Sequence, residues 1–258
     1  MAWALITGAS AGLGREFADI AAADGYSLIL VARQEDRLTA LAAELTARHG
    51  IDAQAIRADL SRADEAERLW SEASQGREID ILVNNAGLGR NGAFADPQSW
   101  PREEASLAVN AVALTILMKR AAVDMAARGR GRILNVASLA GFVAGPNMAV
   151  YHATKAYALS LSEAVASELS GSGVTVTALC PGATRTEFFK ADEAEAATYL
   201  TRLPLPSARS VAEAGWRGMK AGRRVIVPGL NNKLSAVLPR LLPRKWAVAV
   251  TGILLARR

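Results

Sequence analysis

Tyr151 and Lys155 stand four residues apart in "YHATK" (151–155), and Ser138 closes the apolar run "RILNVAS" (132–138) upstream. Residues i and i+4 share a helix face, so a phenol and an ammonium placed there can address one ligand together. A phenol titrates near 10 and is a poor proton donor or base at neutral pH, whereas a neighbouring ammonium favours the phenolate. Ser138, at the end of a strand, can hydrogen-bond a substrate carbonyl in the same pocket. If hydride arrives at the carbonyl carbon, negative charge grows on the oxygen, where two hydroxyl donors would stabilise it. The alternative, a Tyr/Lys pair that merely decorates a helix surface, is set aside because Ser138 and a nucleotide-type loop accompany the pair. His152 and Thr154, inside the motif, read as structural or pocket-edge residues.

That loop is "TGASAGLG" (7–14), which follows the first apolar run directly and sets Gly8, Gly12 and Gly14 at the start of a helical pattern. Glycines let a backbone turn sharply and approach a pyrophosphate, whose charge meets free N–H groups and the positive end of a helix dipole. Position in the chain separates this reading from an ordinary glycine-rich turn. Sites for NAD usually carry a carboxylate after the second strand, to bind the ribose 2′-hydroxyl. Here "LILVARQEDRL" ends its strand on Ala32 and Arg33. With Arg15 and Ser10 in the loop, Arg33 offers cationic and polar donors for a 2′-phosphate, so NADP(H) is expected over NAD(H). Glu35 or Asp36 reaching a ribose is the alternative.

The elements that must position these groups alternate. Short apolar runs at 3–7, 27–32, 52–58, 79–84, 132–138 and 174–180 are separated by longer stretches with helical spacing, such as Leu38, Leu41 and Leu45. This alternation predicts an α/β fold, a doubly wound parallel β-sheet with helices on both faces, in a single domain. The regularity weakens after residue 184, and an excursion at about 187–208 lies where a substrate lid would sit, before a last strand-like "RRVIVP" (223–228). The domain is expected to span 1–230, with 231–258 as a basic, apolar extension.

Composition narrows the classes. With 51% hydrophobic and 21% charged residues, the chain of 258 reads as globular. A single cysteine, Cys180, allows no internal disulfide and fits a cytoplasmic address; a buried thiol role, not catalysis, is expected of it. The N-terminus does not read as a signal peptide, no membrane crossing is expected, and no metal site is expected. The net charge of +5 is uneven: from Arg202 onward there are 12 Lys/Arg and one acid, Glu213. No nucleic-acid recognition motif accompanies this charge. The basic tail is expected to pack on the domain or a second subunit, with peripheral contact to an anionic membrane, Trp246 at the interface, as the alternative.

Taken together, "TGASAGLG", "ADL" (58–60), "NNAG" (84–87), Asn110, Ser138, "YHATK" and "PGATRT" (181–186) resemble the single-domain short-chain dehydrogenases/reductases, a likeness covering about residues 4–190. The resemblance implies a Rossmann-like fold and a homodimer or homotetramer. It implies catalysis by Asn110, Ser138, Tyr151 and Lys155, with Asn110 holding a water in a proton relay. For the cofactor it implies Gly8, Ser10, Gly12, Leu13, Gly14 and Arg15 at the phosphates and Asp59 and Leu60 flanking the adenine. Asn85, Ala86 and Gly87 support the nicotinamide side, where Tyr151, Lys155, Pro181, Gly182, Thr184 and Thr186 complete the cleft. Thr184 stands where the family often has an apolar residue. For substrate, the candidates are Ser138, Phe142, Tyr151 and Phe188, within an apolar wall that includes Leu139, Ala140, Val143, Pro146, Met148 and Phe189. Arg90 and Asn91 offer to greet a polar end. The expected activity interconverts a small-molecule ketone and a secondary alcohol with NADP(H). The alternatives are an NADP-binding scaffold that lost turnover, against which the intact quartet argues, and an extended sugar-nucleotide epimerase, for which the chain is short.

Overall fold

The computed structural model describes residues 2–185 and 205–256. Its strands are β1 (Trp3–Thr7), β2 (Ser27–Ala32), β3 (Ala53–Arg57), β4 (Ile79–Asn84), β5 (Gly131–Val136), β6 (Val174–Leu179) and β7 (Val225–Ile226). All pair in parallel, in the order β3-β2-β1-β4-β5-β6-β7. The chain therefore reverses its direction of travel across the sheet between β1 and β4, and the carboxyl ends of these strands flank the crevice where such folds bind ligands. Every residue of β1 is buried, as a central strand covered on both faces requires.

The helices are α1 (Gly12–Ala23), α2 (Glu35–His49), α3 (Ala63–Ser74), α4 (Trp100–Leu107), α5 (Leu114–Arg128), α6 (Ala149–Glu168), α7 (Ala208–Lys220), α8 (Leu230–Leu241) and α9 (Arg244–Leu255). Alternate strand residues feed two cores. On one face Leu5, Ile29, Leu82 and Ile133 meet Trp70 of α3 and Leu117 and Met118 of α5. On the other, Ile6, Leu30 and Val83 meet Phe17 of α1, Leu38 and Leu45 of α2 and Trp216 of α7. Fully burying each such side chain contributes about 1.5–3 kcal/mol.

A π-helical turn, Ala108–Ala113, joins α4 to α5 and carries Asn110. The resulting helix, Trp100–Arg128, is long and apolar enough to cross a membrane, but Val109, Leu117, Met118, Ala121 and Met125 pack it into the core. The late excursion is tied at its base: Arg185 bridges Ser207, with the Arg185 N–H donating to the Pro206 carbonyl, and Ser207 caps α7. The body of the expected lid, with Thr186, Phe188 and Phe189, lies outside the described residues.

Candidate active site

The phosphate loop is shaped by contacts that exclude a side chain. Gly8 has φ +66° and Gly12 φ +55°, both in the left-handed region. A Cβ on Gly14 would fall 2.1 Å from the Gly8 carbonyl oxygen and 2.6 Å from Asn85 Nδ2, so the first turn of α1 can press against the loop only without one. Ala11 precedes α1 in extended conformation, and no side chain caps the helix. Its first N–H groups thus remain for an anion, as a pyrophosphate requires. Beside them opens a cleft of about 540 Å³ lined by Ser10, Gly12, Arg15, Arg37 and Arg185, among others.

Thr7, at the end of β1, fastens this loop to the loop after β4. Its hydroxyl accepts from the N–H groups of Asn85 (3.0 Å) and Ala86 (2.9 Å). In return Asn85 Nδ2 donates to the carbonyls of Thr7 (2.9 Å) and Gly8 (3.3 Å). Asn84 turns the other way, donating to Asn135 Oδ1 (2.9 Å), whose own amide donates to Ser162 of α6. These satisfied polar groups lock β4, β5 and α6 in register beneath the crevice.

Four elements converge above it. Ser138 follows β5, and its hydroxyl accepts from the Ala140 N–H (3.1 Å) and hydrogen-bonds the Tyr151 phenol. Lys155, one turn after Tyr151 on α6, is 4% exposed; its Nζ donates to the Val136 carbonyl (2.7 Å) and lies 5.8 Å from the Tyr151 ring centroid. Asn110 donates to Leu88 O (2.7 Å) and Thr154 Oγ1 (3.0 Å) and accepts from Leu88 N–H (2.9 Å). Gly87 marks the meeting point, since a Cβ there would be 3.4 Å from both Asn110 Oδ1 and Lys155 Nζ. Gly141 lets the short turn Leu139–Phe142 ride on α6, where a Cβ would come 2.8 Å from the Lys155 carbonyl oxygen.

The electrostatics differ from expectation at one point. Burial raises the Tyr151 phenol above its ordinary value, and the Ser138 hydrogen bond only partly opposes it. Burial also lowers Lys155 to about 8. The amine is engaged with the Val136 carbonyl and faces the ring, so the expected pull toward phenolate is outweighed by desolvation. His152 is structural: it is buried, its Nδ1 pairs with the Val143 carbonyl at 2.7 Å, and burial lowers its pKa.

The model of the short chain dehydrogenases matches residues 2–197. The chain belongs to that family. The 7beta-hydroxysteroid dehydrogenase of Collinsella aerofaciens is 34% identical over 184 residues, which cover 71% of this chain and 69% of that protein. Among solved structures, a short-chain dehydrogenase from Sphingobium yanoikuyae in complex with NADPH is 35% identical, with a TM-score of 0.83 over 93% of this chain and 91% of the other. The bulky-bulky ketone specific alcohol dehydrogenase from Comamonas testosteroni is 31% identical, with a TM-score of 0.79 over 93% of each chain. This short-chain dehydrogenase is accordingly a dehydrogenase or reductase that uses a nicotinamide dinucleotide.

Several expected residues sit otherwise than the motifs suggest. The Leu60 side chain lies in the core. Asp59 Oδ1 accepts from Ser61 N–H and hydroxyl; burial would raise its carboxyl, but those bonds and the Arg33 charge hold it below the usual range. Asn85 braces the loop through its side chain, and the Asn110 amide nitrogen donates to Leu88 and Thr154 while its oxygen accepts from the Leu88 N–H. Arg15 lines the cleft while paired with Glu44 at 2.9 Å, and Arg33 is exposed beyond β2. Thr184 is buried and donates to the Gly182 carbonyl (2.9 Å), satisfying its hydroxyl locally. Arg90 is engaged in ion pairs, with Asp96 of its own loop and, at 3.6 Å, with Glu103 of α4. Of the apolar wall, Leu139, Phe142, Val143 and Pro146 are half-buried, whereas Ala140 and Met148 are buried behind them. Cys180 is fully buried, and burial pushes its thiol up to about 12. Thr7 shows in the sequence only as the first residue of "TGASAGLG", with no role read for it, and Arg37 only as a cation four residues after Arg33.

Proposed function

We propose that this dehydrogenase interconverts a ketone and a secondary alcohol on a hydrophobic substrate, with NADP(H) preferred over NAD(H). The observation that carries the reading is the convergence of Ser138, Tyr151 and Lys155 past the carboxyl end of β5, in a fold that carries a glycine loop and an uncapped helix start after β1. Bound nicotinamide dinucleotide supplies the hydride in reduction and takes it in oxidation. In the reductive direction Tyr151 gives its phenolic proton to the carbonyl oxygen as the carbon accepts hydride, forming the alcohol O–H. Ser138 donates a hydrogen bond to the same oxygen, and the Lys155 ammonium offsets the charge left on the phenolate. Asn110 holds Leu88 and Thr154 in place around this chemistry. Thr186 keeps the cofactor role that the family resemblance gives it, and Phe188 the substrate role read from the apolar residues of the late excursion.

For the nucleotide, Ser10, Gly12, Leu13, Gly14 and Ala86 would hold the phosphates and ribose edge, and Arg33, Arg15 and Arg37 would face a 2′-phosphate. The support is the cleft beside α1, which Arg15, Arg37 and Arg185 line together with Glu16 and Glu44, and a relative solved in complex with NADPH. The half-buried apolar wall and relatives named for a hydroxysteroid and for bulky ketones support a large hydrophobic substrate. The reading includes a homodimer or homotetramer, as the family resemblance implies.

One experiment tests the reading: NADPH and NADH oxidation followed against acyl, steroid, aromatic and sugar-derived ketones, with wild type and Tyr151→Phe in parallel. Wild type should turn over hydrophobic ketones with the lower KM for NADPH. Tyr151→Phe should lose about 10²–10⁴-fold in kcat while the NADPH Kd stays within about threefold. Turnover retained by the phenylalanine variant removes the role given to Tyr151, and a lower KM for NADH removes the cofactor preference.

A further inference from the structure

We propose that α8 and α9 together form a docking face for an anionic lipid bilayer, seated on the wall of the substrate cleft. On α8, Leu230, Leu234, Val237, Leu238 and Leu241 recur at helical spacing and are 51–79% exposed. On α9, Trp246, Val250, Ile253 and Leu254 do the same, at 39–64%. The buried positions are small or few: Ala236 on α8, Ala247 and Leu255 on α9. This inverts the usual amphipathic pattern, in which large apolar side chains face the protein.

The pair is nevertheless attached. Gly252 approaches Pro146, where a Cβ would be 3.3 Å from the proline ring, and the Arg240 guanidinium lies 5.6 Å from the Phe142 ring centroid. At the start of α8, Asn232 donates to the Pro228 carbonyl and packs against Gly182. The hairpin thus rests on the residues that wall the substrate cleft and turns its apolar stripes away from them.

Charge decides the occupant. Lys233, Arg240, Arg244 and Lys245 fringe the stripes and are exposed, and no Asp or Glu occurs after Glu213. An isologous contact of this face with a second copy would bring cation against cation, with no carboxylate on either helix to neutralise them. An anionic headgroup layer meets the cations and takes the apolar stripe and Trp246 at its interface. Each helix has 12 residues, against the roughly 20 that a span requires, and Pro243 stands between them, so the pair lies in the membrane plane. The docking does not depend on the reaction assigned above, because it is read without turnover.

The test is cosedimentation of the full chain with vesicles of phosphatidylcholine alone or with about one-third phosphatidylglycerol, at about 0.05 M and about 0.5 M NaCl. Partitioning onto the anionic vesicles at low salt should be about tenfold or more above that at high salt or on phosphatidylcholine alone. Leu234→Glu/Trp246→Glu and Arg244→Gln/Lys245→Gln should each lose most of it while binding NADPH as wild type does. Wild-type protein that stays in the supernatant with anionic vesicles at low salt overturns the proposal. So does light scattering in which Leu234→Glu/Trp246→Glu splits a wild-type oligomer, which would make the face a subunit contact.

Discussion

Lys155 is buried and Tyr151, one helical turn before it, is half-buried, and desolvation moves them in opposite directions. The phenol is pushed up and so stays protonated through the physiological range, ready to donate; the amine is lowered to about 8. Its positive charge is therefore present below about pH 8 and lost as pH rises through that value. Since the charge supports the phenolate formed in reduction, kcat/KM for a ketone should fall as pH rises through about 8, well before the phenol itself ionises. A profile of kcat/KM between pH 6 and 10 checks this, and a rate that stays level from 7 to 9.5 would remove Lys155 from the chemistry. The i, i+4 spacing made this pair legible as a unit. The direction of the Tyr151 shift was not legible, because it depends on how much water the surrounding elements exclude.

Among the elements, the phosphate loop and the loop after β4 hold each other. A Cβ on Gly14 would fall 2.1 Å from the Gly8 carbonyl oxygen and 2.6 Å from Asn85 Nδ2. Gly14→Ala must push the start of α1 away from the loop, at an overpacking cost of about 1–3 kcal/mol. We expect a lower Tm and an NADPH Kd weakened by about tenfold or more, read by thermal melting and nucleotide fluorescence titration. The glycine spacing announced a phosphate loop. It did not announce Thr7, whose hydroxyl serves Asn85 and Ala86 across 78 and 79 residues of chain. A threonine at a strand end has no distinguishing local pattern, and only the pairing of β1 with β4 brings its partners within reach.

At the scale of the whole molecule, α7 returns from beyond the excursion to clasp α1 and the turn after it. Asp24 accepts from Trp216 Nε1 (2.8 Å) and Lys220 Nζ (2.6 Å), and Trp216 stacks edge-on against Tyr26 at 5.8 Å. The Lys220 hydrogen bond leads in holding the Asp24 carboxyl below its ordinary value. A depressed carboxylate contributes stability above the unfolded pKa, near 3.9, and loses it as pH falls through the folded value. Asp24→Ala should lower Tm at neutral pH, with about 1–3 kcal/mol lost as the Trp216 donor is left without its partner. The gap from wild type should narrow below about pH 4, and an equal gap at pH 3 and pH 7 would deny the carboxylate this part. The cationic tail was visible as a charge count; that its large apolar side chains point outward was not, because helical spacing shows that a stripe exists and not which way it faces.

The amino-acid order by itself determined the alternation of strand and helix, the glycine loop, the Tyr/Lys spacing and the serine before them, because each is encoded within a few neighbouring residues by period, turn chemistry or side-chain type. Tertiary structure alone decided the 3-2-1-4-5-6-7 strand order, the clamp from Thr7, the capture of Arg90 by Asp96 and Glu103, and the outward face of α8 and α9. Those outcomes depend on contacts between residues far apart in the chain. Burial, pairing and the direction of a helix face are properties of what lies opposite, and what lies opposite is fixed only when the sheet is assembled.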